Sequence, residues 1–115
     1  MNGKVVMITG ASKGLGRALT LSFAKKGAKL AICARGEEQL RNVEKEIKSI
    51  GAEVIAVCAD VSDVKDVNRF VSLAEGAFGQ IDILINNASM FGPGPMLLTD
   101  YPDHDFNEAY NYRRQ

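Results

Sequence analysis

The sequence predicts an α/β protein with a Rossmann-like, doubly wound parallel sheet, incomplete at about four strands, in the order 3-2-1-4 with helices on both faces. Short apolar runs alternate with longer segments of helical periodicity, which gives the pattern βαβαβαβ. The runs are continuously apolar, as is typical of parallel strands buried on both faces. A glycine-rich turn, Thr9–Gly16, joins the first strand to the first helix. We therefore expect a central first strand with a crevice at its carboxyl end.

The individual elements follow from the apolar runs and from the residues that end them. The predicted strands are Lys4–Thr9, Lys29–Ala34, Glu53–Cys58 and Ile81–Asn86. The predicted helices run from the glycine-rich turn to about Lys26, over Glu37–Ile50, and from Val64 to Phe78, and a glycine follows each one. The helical periodicity of the first helix is carried by Leu15, Ala18, Leu19, Ser22 and Phe23, and the apolar face of the second by Leu40, Val43, Ile47 and Ile50.

Composition excludes several classes of function. Fourteen basic and fourteen acidic residues cancel among 115, so no net field favours nucleic acid or an anionic membrane. No apolar run is long enough to span a membrane, and no signal peptide precedes the first strand. Cys33 and Cys58 lack a Cys-x-x-Cys spacing and are interpreted as reduced core cysteines of a cytoplasmic protein, while the single histidine, His104, has no partners for a metal site.

The glycine-rich turn predicts an anion site. The first N–H groups of a helix have no partners within the helix, and the helix dipole adds partial positive charge at that end. Gly10 would allow a tight turn, and Gly14 would allow the backbone to approach a ligand closely. Gly16 would allow close packing of the helix on the strand. The alternative is a glycine-rich turn that binds no ligand.

The spacing Thr9-Gly10-x-x-x-Gly14-x-Gly16 resembles the turn of the short-chain dehydrogenase/reductase family, and Asn86-Asn87-Ala88-Ser89 resembles its Asn-Asn-Ala-Gly, with Ser89 in place of glycine. The resemblance covers residues 2–112. It implies hydride transfer between a nicotinamide dinucleotide and a carbonyl or alcohol, and asparagine amides that tie neighbouring strands together. The residues it implies in cofactor binding are Gly10, Ser12, Lys13, Gly14, Leu15, Gly16, Arg35, Asp60, Val61, Asn87 and Ala88.

The end of the second strand favours NADP(H) over NAD(H). Ala34 stands where NAD-preferring members of the family carry a carboxylate for the ribose 2′-hydroxyl. Arg35 follows it and Lys13 lies in the glycine turn, so two cations are available for a 2′-phosphate. The alternative is that both cations are merely solvated at the surface.

Asp60 and Val61, after the third strand, resemble the family's site for the adenine ring, where the carboxylate accepts from the exocyclic amine. The alternative is that Asp60 only caps the next helix. Ser62 and Asp63 are further candidates for that cap.

No residue is assigned to catalysis. The family's acid/base tyrosine is followed four positions later by lysine, whereas Tyr101 is followed by Asp105 and Tyr110 by Arg114. We expect a single domain over residues 1–115, truncated after the fourth strand and the start of the following helix, and inactive alone. The alternatives are a non-catalytic NADP(H)-binding or regulatory module and an inactive truncation product. The substrate is not indicated.

The fourth strand, Ile81–Asn86, would lie at the edge of such a sheet with strongly apolar residues. We therefore expect self-association, or a partner that covers this strand. An irregular loop is predicted over Ser89–Pro102 and the start of a helix at Asp103.

Overall fold

The computed structural model of the chain describes residues 1–87, so the predicted loop at 89–102 and the helix predicted from Asp103 lie outside the described residues. The strands are β1 (Val5–Thr9), β2 (Lys29–Ala34), β3 (Val54–Cys58) and β4 (Ile83–Asn86). The helices are α1 (Gly14–Lys25), α2 (Glu37–Ile50) and α3 (Val64–Phe78). No helix within residues 1–87 combines the length and the apolar character needed to cross a membrane.

The sheet has the predicted order, β3-β2-β1-β4, and every pair of neighbouring strands is parallel. Met7 of β1 pairs with Ala31 of β2 on one side and with Leu84 of β4 on the other. All five residues of β1 are buried, as its continuous apolar run predicts. Because the strands are parallel, their carboxyl ends meet along one edge of the sheet, where the loops that follow them come together.

Helices cover both faces of the sheet, as predicted. Successive side chains of a strand point to opposite faces, so Met7 enters one core and its neighbours Val6 and Ile8 enter the other. The first core is closed by α3, whose Phe70 is fully buried, and the second by α1 and α2.

β2 has the predicted bounds, whereas the other three strands begin later than the apolar runs predict: Lys4, Glu53 and residues 81–82 lie outside them. Asp82 shows the reason at β4. Its N–H donates to the Val5 carbonyl at 2.9 Å, but its carboxylate, rather than a backbone carbonyl, accepts from the Val5 N–H at 2.9 Å. A side chain thus replaces the backbone in the first rung of the β1–β4 ladder.

The residues that carry the helical periodicity of α1 are largely not the ones it buries. Gly16, Thr20 and Ala24 are buried, whereas Leu15, Ala18 and Ser22 are exposed and Leu19 and Phe23 are partly buried. The Thr20 hydroxyl donates to the Gly16 carbonyl at 2.7 Å, which satisfies its polar atom inside the helix–sheet contact. The helix is therefore rotated so that its small residues face the sheet.

Two apolar residues at helix ends are exposed, one of which, Ile50, was expected on the buried face of the second helix. Ile50 ends α2 and is 41% exposed, and Val64 begins α3 and is 56% exposed. Each is the terminal residue of its helix.

The N-terminus of α3 gives a direct test of local stability. The Asp63 carboxylate accepts from the Lys65 N–H at 2.9 Å and caps the helix. Asp63→Ala should lower the free energy of unfolding by about 1 kcal/mol in urea titrations. Asp63→Asn, which keeps a capping oxygen, should change it far less. Equal losses in both variants would contradict the capping role.

Candidate functional site

An open cleft of about 800 Å³ lies at the carboxyl ends of the strands. The loops that follow β1, β2, β3 and β4 all contribute to its wall. The predicted site residues that line it are Gly10, Ser12, Lys13, Gly14, Leu15, Arg35, Asp60, Val61 and Asn87. Gly16 does not line the cleft, and Ala88 lies outside the described residues.

The turn between β1 and α1 forms one wall of the cleft. Gly10 and Gly14 have φ angles of +62° and +59°, in the left-handed region that side chains disfavour. The Ala11 N–H donates to the Cys33 carbonyl at 3.1 Å, which ties the turn to β2. No side chain caps α1, and a Cβ at Gly14 would meet nothing within 4 Å. The helix N-terminus is thus open to a ligand, as an anion site requires.

Gly16 lies behind the cleft and holds its wall in position. A Cβ at this position would lie 1.9 Å from the Gly10 carbonyl oxygen and 2.6 Å from Nδ2 of Asn87. The close approach is therefore to Gly10, at the start of the turn directly after β1, and to Asn87, directly after β4. Only a residue without a side chain fits between them.

A hydrogen-bond network joins the ends of β1 and β4. The Thr9 hydroxyl donates to Oδ1 of Asn86 at 2.9 Å and accepts from the Asn87 N–H at 2.9 Å. Nδ2 of Asn87 donates to the Gly10 carbonyl at 3.1 Å. Asn86 and Asn87 thus tie neighbouring strands together, as the family resemblance implies.

The residue that follows β2, Arg35, places a cation in the cleft, and the last residue of β2, Ala34, carries no acidic group. Ala34 is buried, and the next residue, Arg35, has a side chain that is 68% exposed. Nη1 of Arg35 lies 3.9 Å from Oδ2 of Asp60, across the gap between the ends of β2 and β3. The Arg35 carbonyl accepts from the Cys58 thiol at 3.3 Å, which anchors its backbone to β3.

Asp60 does not cap α3, so that alternative is wrong: Asp63 is the cap. Oδ1 of Asp60 instead accepts from the Ser62 N–H at 2.9 Å and from the Ser62 hydroxyl at 2.7 Å. These bonds, with Arg35 nearby, hold the pKa of the Asp60 carboxyl below its ordinary value. The Asp60 N–H donates to Oδ2 of Asp66 at 2.8 Å, so α3 positions this loop.

The cleft also contains residues that the sequence reasoning did not assign to it, notably Gln39, Gly36, Ser62 and Cys33. Gln39 lies in the first turn of α2, which begins shortly after the end of β2. Its closeness to Arg35 in the sequence could have indicated that it lines the cleft. Ser62 is brought in by its hydrogen bonds to Asp60, which the motif alone does not reveal.

The two cysteines differ in environment. Cys33 is buried, and burial raises the pKa of its thiol to about 12. Cys58 is only partly buried, at the margin of the second core, so the prediction that it is a core residue is wrong. Its thiol donates to the Arg35 carbonyl in the loop after β2. Within residues 1–87, no group of three or more His, Cys, Asp or Glu side chains could hold a metal ion.

Comparisons with known proteins agree with this geometry. The sequence model of the family described as short chain dehydrogenase matches residues 4–112. A curated relative, "11-beta-hydroxysteroid dehydrogenase-like 2" of Arabidopsis thaliana, is 41% identical over 102 residues, which cover 88% of this chain and 32% of the relative. The chain thus spans about a third of that protein's length.

Two solved structures share the fold. A 3-ketoacyl-(acyl-carrier-protein) reductase from Brucella melitensis, complexed with NADH, is similar with a TM-score of 0.71 and 42% identity, over 77% of this chain and 35% of that one. An actinorhodin polyketide ketoreductase variant with NADPH is similar with a TM-score of 0.73 and 35% identity, over 77% of this chain and 34% of that one.

The contact at Gly16 generates a paired prediction. Gly16→Ala should lower the free energy of unfolding by about 1–3 kcal/mol, because the added methyl group forces the Gly10 carbonyl away. The matched control is Gly76→Ala in α3, where a Cβ meets nothing within 4 Å. The free energy of unfolding of that variant should rise by about 0.5–1 kcal/mol, because alanine favours helices more than glycine does. Urea titration measures both, and a neutral Gly16→Ala would contradict the close contact.

Proposed function

This chain belongs to the short chain dehydrogenase family, and we propose that its residues 1–115 form the nucleotide-binding domain of an NADP(H)-dependent oxidoreductase. The reaction proposed is hydride transfer to a carbonyl or from an alcohol. The single observation that carries the proposal is the cleft, which combines an uncapped helix N-terminus with two cations and no carboxylate at the end of β2.

The shape of the turn fits a pyrophosphate. Gly14 leaves open space above the backbone, and the first N–H groups of α1 have no side-chain cap. Backbone donors and the helix dipole favour a doubly negative linker without a dedicated side chain. Lys13, the residue before the helix, adds a mobile positive charge at the same point.

The adenosine half of the dinucleotide is proposed to bind between the ends of β2 and β3. Arg35 would bind a 2′-phosphate, since its planar guanidinium can donate two parallel hydrogen bonds to phosphate oxygens. Asp60 and Val61 would contact the adenine ring. Ala34 supports the preference for NADP(H), because it offers no acceptor to a free 2′-hydroxyl.

The nicotinamide half is proposed to extend toward β4. Leu15 is 66% exposed and gives the cleft an apolar surface. Asn87 and Ala88 would face the nicotinamide ribose. The bound dinucleotide would donate a hydride to a carbonyl or accept one from an alcohol, and the residues of this chain would bind and orient it.

A second candidate function is a non-catalytic NADP(H)-binding or regulatory module. The observation that favours it is that Tyr101 is followed four positions later by Asp105 and Tyr110 by Arg114, so neither matches the tyrosine–lysine spacing of the family. Turnover with carbonyl substrates separates the two candidates, since a binding module would bind the dinucleotide without oxidising it.

We also propose that the protein self-associates through β4. In the part of the chain that the structure describes, β4 pairs with β1 on one side and with no strand on the other. Its Ile83 and Ile85 are only partly buried. An apolar edge strand offers its outer edge to a strand of a second copy. A cytoplasmic location is proposed on the free thiols of Cys33 and Cys58, which a reducing compartment preserves.

Calorimetric titration of NADPH and NADH into the chain tests the function. NADPH should bind more tightly than NADH. Arg35→Ala should weaken NADPH binding about 10- to 100-fold, because hydrogen bonds to a charged group contribute about 1.5–3 kcal/mol. It should leave NADH binding nearly unchanged.

The matched control is Lys45→Ala, which removes the same charge from an exposed position of α2 that does not line the cleft. Its dissociation constants should equal those of the unmodified chain. Absence of binding of either nucleotide to the folded protein would overturn the proposal, and equal losses in the two variants would refute the role of Arg35.

Light scattering over a range of micromolar concentrations tests self-association. The apparent mass should exceed the 12.5 kDa of one chain and rise with concentration. A constant mass of one chain at every concentration would contradict pairing through β4.

A further inference from the structure

Arg35 and Asp60 face each other across the part of the cleft proposed to receive adenosine. Arg35 follows β2 and Asp60 lies in the loop after β3, and their side chains are 68% and 40% exposed. The separation of 3.9 Å from Nη1 to Oδ2 brings the two charges close without a hydrogen bond. The guanidinium is thus attracted toward β3.

The Asp60 carboxylate is held firmly in this position. Oδ1 is occupied by the two bonds from Ser62, and the backbone N–H is held by Asp66. Arg69 adds a second tie from α3, since its Nη2 donates to the Cys58 carbonyl at 2.7 Å. Oδ2 therefore presents its negative charge toward Arg35 from a braced loop.

We propose that Asp60 is a specificity-determining residue that limits the preference of this cleft for a 2′-phosphorylated nucleotide. The inference rests on the proposed function, in which Arg35 binds the 2′-phosphate. Two effects act in the same direction. The carboxylate competes with the phosphate for the guanidinium, and its negative charge opposes the phosphate itself. NADH carries no 2′-phosphate, so its binding lacks both effects.

The magnitude is modest because solvent reaches more than a third of each side chain. Exposed ion pairs contribute little to stability, and their interaction is screened by salt. We expect that removing the charge of Asp60 raises the ratio of the NADH to the NADPH dissociation constant about two- to fivefold. The gain comes from tighter NADPH binding.

The variant that tests this inference is Asp60→Asn, which removes the charge but keeps one amide oxygen to accept from Ser62. Any lost contact to the adenine ring affects both nucleotides alike and cancels in the ratio of their dissociation constants. Both dissociation constants are measured by calorimetry at low salt and again at about 1 M salt, where charges are screened within about 3 Å. The expected gain in NADPH selectivity appears at low salt and shrinks at high salt. Asp60→Ser, which keeps a hydroxyl acceptor, replaces it if the first variant fails to fold.

The matched control is Asp63→Asn, which makes the same change of charge three residues away, at a helix cap that does not line the cleft. Its selectivity ratio should equal that of the unmodified chain. Adding Asp60→Asn to Arg35→Ala should give a smaller gain than Asp60→Asn alone, since no guanidinium is left to compete for.

The outcomes separate this inference from the proposed function. An unchanged or lower selectivity ratio in Asp60→Asn, with both nucleotides still bound, overturns the role of Asp60 and leaves the proposed function standing. Failure of the unmodified folded chain to bind either nucleotide overturns both.

Discussion

The approach of α1 to the end of β1 constrains the rest of the site. At Gly16 the helix backbone passes so close to the Gly10 carbonyl that a Cβ would lie 1.9 Å from it, and Asn87 fills the adjoining space. This contact selects which side of α1 faces the sheet and directs the uncapped first turn into the cleft. The network through Thr9 then attaches the same turn to β4. Strand order, helix rotation and the turn that lines the cleft are consequently parts of one packing arrangement.

The sheet could be predicted from sequence because its signals are local. Continuous apolar runs separated by helix-length segments allow few arrangements of parallel strands, and β1 is buried throughout. The rotation of α1 could not be predicted in this way. Periodicity draws attention to large apolar residues such as Leu15, whereas the structure buries Gly16 and Thr20, because the space against the turn admits no larger side chain. Leu15 is left to line the cleft.

The site shows the same division between local and long-range information. Motif spacing located the turn, and strand ends located Arg35 and Asp60, so most of the predicted residues meet in one cleft. The pairing of Arg35 with Asp60 required the distance between two strand ends, which sequence does not contain. The brace from Asp66 to the Asp60 backbone likewise depends on how α3 packs. Such tertiary contacts decide whether a charged residue attracts a ligand or another side chain.

Calorimetric titrations of adenosine 2′,5′-bisphosphate and of 5′-AMP into this chain show directly whether the cleft selects a 2′-phosphate. These ligands share the adenine, the ribose and the 5′-phosphate, so the comparison isolates the 2′-phosphate within the described part of the cleft. If Arg35 binds the 2′-phosphate, the bisphosphate should bind at least about tenfold more tightly, as expected for charge-assisted bonds from a guanidinium. Equal affinity, or tighter binding of 5′-AMP, would contradict it.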